Sequence, residues 1–207
     1  LLQISKVNLN NKIKINMEKL NKVAQITLVF WVLKILATTL GETLGDFLSM
    51  TLNLGYGKAF LITFLLFLIA LFFQLRSKKY VPIYFWFVVV STTTFGTEIS
   101  DFIDRTLHLG YTYGSLLLFM GLFATLFFWY KKYKSLEVYP IFEPNKEILF
   151  WIAVLFSNSL GTAFGDYLSD VLNFSYSKGA IITTSIIVVV VLLHYISKIN
   201  KVILFWI

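Results

Sequence analysis

Apolar positions along the chain gather into six segments, near residues 25–53, 57–75, 81–108, 112–130, 147–173 and 178–197. The segments come in pairs, and the two members of a pair differ in kind. The second member is uniformly apolar: residues 59–75, 111–130 and 179–196 contain no Asp, Glu, Lys or Arg. A helix needs about 20 apolar residues to cross a ~30 Å hydrocarbon core, so each such run predicts a spanning helix. The first member carries polar residues at helical spacing. In the first pair Thr38, Glu42, Gly45/Asp46, Ser49 and Asn53 share one face, because positions three and four apart align on a helix. The second pair offers Thr93, Thr97, Ser100/Asp101, Asp104 and His108, and the third Asn158, Thr162, Gly165/Asp166, Ser169/Asp170 and Asn173. Hydrocarbon cannot accept these stripes, so the three polar faces are expected to point at one another, with the uniformly apolar helices outside.

The pairs are copies of one unit. Trp31, Gly41, Asp46, Leu52 and Tyr56 recur as Trp86, Gly96, Asp101, Leu107 and Tyr111, and again as Trp151, Gly161, Asp166, Leu172 and Tyr176. Trp206 stands where a fourth copy would begin; the Trp-to-Trp steps are 55, 65 and 55 residues. Such periodicity means one supersecondary unit stacked on copies of itself. Each unit crosses twice, so successive copies enter from the same side, and the symmetry axis runs along the membrane normal. The fold class expected is all-α: a polytopic membrane helix bundle of tandem two-helix repeats with parallel pseudo-symmetry. Its parts are an N-terminal cytoplasmic segment (1–24), repeat 1 (25–78), repeat 2 (79–135), repeat 3 (136–198) and the start of a truncated repeat 4 (199–207). Residues 1–16 lack periodicity, so translation is expected to begin at Met17, and the chain reads as a fragment or a truncated gene product.

Composition fits that class. The chain is 57% hydrophobic and 14% charged, more apolar surface than a soluble domain of this length can hide. Its formal charge of +7 invites a nucleic-acid partner, but fourteen of its eighteen Lys and Arg residues lie before the first span or between repeats. Only Lys58, Arg105 and Lys178 occupy the turns inside repeats, and Lys34 lies within a span. This bias is a topology signal, placing the N-terminus and the inter-repeat loops on the cytoplasmic side of the plasma (inner) membrane. With no cysteine in the chain, disulfides, Cys-ligated zinc and iron–sulfur clusters are excluded.

The acids carry the candidate chemistry. Asp46, Asp101 and Asp166 recur in every copy inside apolar segments, where an aspartate costs ~2.5–3.5 kcal/mol even on the permissive insertion scale. Two readings stand side by side: helix-to-helix hydrogen bonding, and coordination of a cation or proton. Glu42 and Glu98 break the repeat, since repeat 3 has Thr162 and Ala163 there. Thr38, Thr93 and Asn158 would add neutral oxygen donors, a set suited to hard ions such as Mg²⁺, Mn²⁺, Ca²⁺ or Na⁺. Asp101 and Arg105, four apart, can pair along one helix, and Lys34 either snorkels or reaches Glu98 across the bundle. Gly41/Gly45, Gly96/Ser100 and Gly161/Gly165 are small-xxx-small pairs expected to pack helices closely. The repeat tryptophans and Tyr56, Tyr111 and Tyr176 read as aromatic belts at the two membrane faces. Motifs of hydrolases, zinc proteases and nucleotide-binding loops are absent, so no enzyme and no cofactor are expected.

The segments GETLGDFLS, GTEISDFID and GTAFGDYLS, with Trp31, Trp86, Trp151 and Trp206, resemble a bacterial family of uncharacterised multi-pass membrane-anchored proteins built from a tandem repeat of unknown function. The resemblance runs from about residue 25 to the end and implies two transmembrane segments per repeat, usually in four repeats. It brings no established activity. The leading expectation is a small cation or proton transporter or channel with a polar site between repeats. The alternative is a structural or assembly protein whose acids hold helices together. The partners implied are the lipid bilayer and a small cation or proton; a homo-oligomer stays open, and nucleic acid is not implied.

Overall fold

A computed structural model describes residues 21–197 and 199–206 as helices and short connections, with no strand among the described residues. The expected start at Met17 and the lysines before Asn21 lie outside the described residues. The helices are α1 (Leu28–Asp46), α2 (Tyr56–Arg76), α3 (Pro82–Asp101), α4 (Gly110–Tyr133), α5 (Pro144–Asp166), α6 (Tyr176–Ile196) and the short α7 (Lys201–Trp206). Their starts follow local chemistry. The Thr27 hydroxyl accepts from the Phe30 N–H at 3.2 Å, and Pro82 and Pro144 occupy first turns, where a missing N–H costs nothing.

Five stretches are long and apolar enough to cross a membrane: Leu28–Thr51, Tyr56–Arg76, Gly110–Tyr133, Pro144–Val171 and Tyr176–Leu193. The sixth expected span, near 81–108, is not among them. It forms a helix, but α3 is too polar, with Ser91, Thr92, Thr93, Thr94, Thr97, Glu98, Ser100 and Asp101 in its second half. The reason is position. α3 packs against α1, α2 and α5 and presents little surface to lipid, so its polar groups are enclosed by protein. Several hydroxyls turn back to the helix carbonyls: Ser91 to Phe87 O at 2.7 Å, Thr93 to Val89 O at 3.1 Å and Thr97 to Thr93 O at 3.1 Å.

The packing follows one rule. The uniformly apolar helix of a repeat lies on the inner helix of the next repeat, α2 on α3 and α4 on α5, while inner helices lie side by side, α1 on α3 and α3 on α5. α6 meets the end of α5 and α7, and no residue of its apolar stretch is buried.

Aromatic contacts fix the lysine-rich end. Phe30 lies 5.8 Å from Trp86, Phe85 5.4 Å from Trp151, Phe150 6.4 Å from Trp206 and Phe205 5.8 Å from Trp31, centroid to centroid. Four Phe-Trp dipeptides thus form a closed ring in which each Phe touches the next Trp. All four inner segments start at this end, which makes the repeats parallel. The tryptophans were expected to form an interfacial belt. They form this ring, with Trp151 fully buried and Trp31 keeping 42% of its surface exposed. Phenyl and indole rings pack on one another here because α1, α3, α5 and α7 lie close together at this end.

Candidate functional site

Each repeat aspartate is the last α-helical residue of its inner helix. Asp46, Asp101 and Asp166 are followed by single π-helical turns, Phe47–Thr51, Phe102–Thr106 and Tyr167–Val171. The N–H groups of Leu52, Leu107 and Leu172 reach back five residues, to Phe47 O at 2.9 Å, Phe102 O at 2.9 Å and Tyr167 O at 3.1 Å. Asn53, His108 and Asn173 then adopt left-handed backbone, φ 51°, 54° and 52°. The sequence placed these three on the polar stripe; they are helix terminators, a role asparagine tolerates better than most residues. The π turns escaped the sequence reading, although their signal, Leu-Asn or Leu-His six residues after the aspartate, is present three times. Such turns widen a helix and recur at functional sites.

Arg105, inside the second π turn, gathers the aspartates. Its Nε donates to Asp101 Oδ1 at 2.9 Å, and one terminal nitrogen lies 3.6 Å from Asp166 Oδ2 and 3.7 Å from Asp170 Oδ2. Tyr56 and Tyr111 flank it, with ring centroids 5.8 and 5.9 Å from the guanidinium carbon, and the Tyr111 hydroxyl donates to Asp170 Oδ2 at 2.6 Å. Asp46 is within electrostatic reach of Arg105 and Asp101. Asp101, Asp166 and Asp170 therefore meet around one guanidinium, whereas no ion pair joins Asp46 to it among the described residues. Of the tyrosines read as a belt, Tyr56 and Tyr111 lie against Arg105 and Tyr176 is exposed.

Glu98, one turn before Asp101, is 0% exposed, and neither carboxyl oxygen has a hydrogen-bond partner among the described residues. A side chain begun at Gly45 would lie 3.4 Å from its Oε1, so the acid rests on the α1 backbone. The Ser49 hydroxyl alongside donates instead to Gly45 O at 3.0 Å. Asp104 is also buried without a hydrogen-bond partner among the described residues, its carboxyl pressed against Gly114 of α4.

Glu42 lies apart from Glu98. It is exposed at the rim of a cavity of about 170 Å³ where α1, α3 and α5 meet, together with Thr38, Thr93, Asn158 and Thr162. The two glutamates occupy successive repeat positions, eleven and twelve residues after their tryptophans, and successive positions point about 100° apart. The expected neutral donors do converge here: Asn158 Nδ2 donates to Thr93 Oγ1 at 3.1 Å and to Thr92 Oγ1 at 3.3 Å. Lys34 Nζ donates to Asn158 Oδ1 at 3.2 Å rather than pairing with Glu98. Thr38 turns its hydroxyl to its own helix, at Lys34 O, 2.9 Å away. Among the described residues no group of three His, Cys, Asp or Glu side chains is placed to hold a metal ion.

The small-residue pairs divide. A Cβ at Gly41 would fall 2.6 Å from Thr93 Cβ, and one at Gly96 would fall 3.1 Å from Ser159 N, so both glycines set close contacts to the next inner helix. Gly45 meets Thr97 at 3.3 Å, and Ser100 is buried. Gly161 and Gly165 were expected to pack likewise, yet a Cβ at either meets nothing within 4 Å. Their contact would be with the inner helix after α5, which among the described residues is only the short α7.

Sequence reasoning also missed a buried polar knot at the lysine-rich end. Lys22 Nζ pairs with Glu147 Oε2. Gln74 Nε2 donates to Glu147 Oε1 at 2.7 Å and to Lys22 O at 2.9 Å, and Lys22 Nζ donates to Leu75 O at 3.0 Å. All three side chains are buried. They tie the entry to α1, the end of α2 and the start of α5. A lysine among many before the first helix and a glutamate with no counterpart in the other repeats gave no signal of the pairing.

A family model described as Repeat of Unknown Function (DUF347) matches residues 29–80, 84–135 and 149–200. The chain belongs to this repeat family. The three DUF347 matches start 55 and 65 residues apart, the spacing of the repeat tryptophans. No curated protein and no solved structure matches the chain. Each DUF347 match contains an aspartate at the end of an inner helix and the π turn that follows it.

Proposed function

We propose that this bundle carries protons across a membrane, with Glu98 as the group that takes up and releases the proton. The observation that carries this reading is a fully buried carboxyl with no hydrogen-bond partner for either oxygen among the described residues, one turn before the end of the central helix. An unpaired carboxylate in such a place costs several kcal/mol, so this packing accepts the neutral acid and rejects the anion. Releasing the proton requires the helices to part and admit water or a neighbouring base. Asp101, one turn away with Oδ2 unpartnered, is the next acceptor toward the Arg105 cluster. A dehydrated metal ion suits the site less well, because among the described residues no group of three acids or histidines is placed to hold one. The distribution of lysines supports an inner-membrane orientation with the aromatic ring on the cytoplasmic side.

The Asp101–Arg105–Asp166 contacts favour a second reading for the aspartates, as struts between repeats 2 and 3 in a structural or assembly protein. Reconstitution of the full chain in liposomes containing a pH-sensitive dye separates the two. The proton reading expects wild type to dissipate an imposed pH gradient and Glu98→Gln, still helical by circular dichroism, to lose at least tenfold in rate. Inert wild-type protein would leave the assembly reading standing, and an active Glu98→Gln protein would remove Glu98 as the carrier.

A further inference from the structure

Away from the acids, a cavity of about 620 Å³ opens between the end of α4 and the start of α5, lined by Phe128, Lys131, Lys132, Asn145, Ile148 and Leu149. Its lining is ordered. On α4, Phe128 precedes Lys131 and Lys132 by three and four residues, so the ring lies one turn deeper toward the bilayer centre than the ammonium groups. On α5, which runs the other way, Asn145 precedes Ile148 and Leu149 by the same steps. Both helices therefore present polar groups at the level of the lysine-rich end and apolar groups one turn further in. Lys131, Lys132, Asn145 and Phe128 are exposed, and Ile148 and Leu149 are half-buried. Lys131 and Lys132 also lie in the last turn of α4, where the helix carbonyls favour cations.

We propose that this cavity binds an anionic phospholipid of the leaflet at the lysine-rich end. The phosphate would sit on Lys131, Lys132 and Asn145, and the upper part of an acyl chain on Phe128, Ile148 and Leu149. The volume falls within the range of small-ligand sites, and basic pockets between helices on the cytoplasmic side select anionic headgroups. The apolar floor distinguishes a lipid from free phosphate, since a phosphate ion would leave Phe128 and Leu149 unused. This inference is independent of proton movement and of Glu98.

The test uses purified full-length chain in mild detergent, with binding read by native mass spectrometry against added phosphatidylglycerol, phosphatidylcholine or inorganic phosphate. Each lysine near an anionic surface is worth a factor of about five. Phosphatidylglycerol should therefore outbind phosphatidylcholine by tenfold or more, and the double change Lys131→Gln/Lys132→Gln should lower its affinity roughly thirtyfold. Both lysines are exposed, so the fold should persist. Lys78→Gln/Lys79→Gln, in another loop at the same end, should leave binding unchanged. Equal binding of the two lipids, an equal loss in the Lys78/Lys79 variant, or inorganic phosphate binding as tightly as phosphatidylglycerol would each overturn the proposal.

Discussion

Arg105 Nε lies 2.9 Å from Asp101 Oδ1, four residues earlier on the same helix, and through this pair the second repeat grips the third. Asp101 is 2% exposed whereas Arg105 keeps 31% of its side chain exposed, so the two partners respond unequally to mutation. Arg105→Met strands a buried carboxylate and should destabilise the bundle by ~2 kcal/mol or more, below the ~3–5 kcal/mol of a fully buried pair. Arg105→Met with Asp101→Asn should recover part of that loss. Thermal unfolding in detergent gives the comparison; a double variant less stable than Arg105→Met alone would contradict the pairing.

At the lysine-rich end, Lys22 and Glu147 form a pair with almost no solvent access. Lys22→Met leaves Glu147 buried without its counter-charge, and a loss of ~3–5 kcal/mol is expected. Adding Glu147→Gln should restore much of it, because Gln74 can still donate to the amide oxygen. A double-mutant cycle measures the coupling. Strictly additive effects would mean that the two residues act separately.

Equivalent glycines should behave differently. Gly41→Ala sets a methyl 2.6 Å from Thr93 Cβ and 2.8 Å from Val90 O, and overpacking of that kind costs ~1–3 kcal/mol. Gly161→Ala meets nothing within 4 Å among the described residues, so helix propensity alone acts and the change should be neutral or stabilising by up to ~1 kcal/mol. Unfolding midpoints of the two variants should fall on opposite sides of, or at least unequally from, wild type. A drop at Gly161 as large as at Gly41 would place an unseen neighbour on α5.

Asp166→Asn separates the aspartates from Glu98. Asp166 holds Arg105 at 3.6 Å and Asp170 at 3.7 Å does the same, so the single change should alter stability by less than ~1 kcal/mol. If Glu98 carries the proton, flux through Asp166→Asn should stay within tenfold of wild type while Glu98→Gln is silent. The opposite ranking, measured in the same liposome assay, would move the site from Glu98 to the aspartate cluster.

Much of the architecture was legible in the residues, because hydropathy and period are local properties. A run such as 179–196 partitions into lipid whatever it packs against, and the 55-residue step from Trp31 to Trp86 follows from the letters alone. The polar stripe on each inner helix was legible for the same reason, as was the four-residue spacing that lets Arg105 meet Asp101. What the sequence could not supply was the identity of each neighbour. Gly41 and Gly161 are the same residue in the same repeat position, yet one touches Thr93 and the other nothing. Glu98 is sealed against Gly45 while Glu42, one repeat position earlier, faces a cavity. Lys22 and Glu147 are 125 residues apart and share no motif. These outcomes depend on each inner helix packing against the inner helix of the next repeat. Burial and pairing belong to that assembly, so only the tertiary structure decided which acids are sealed, which are paired and which stay open.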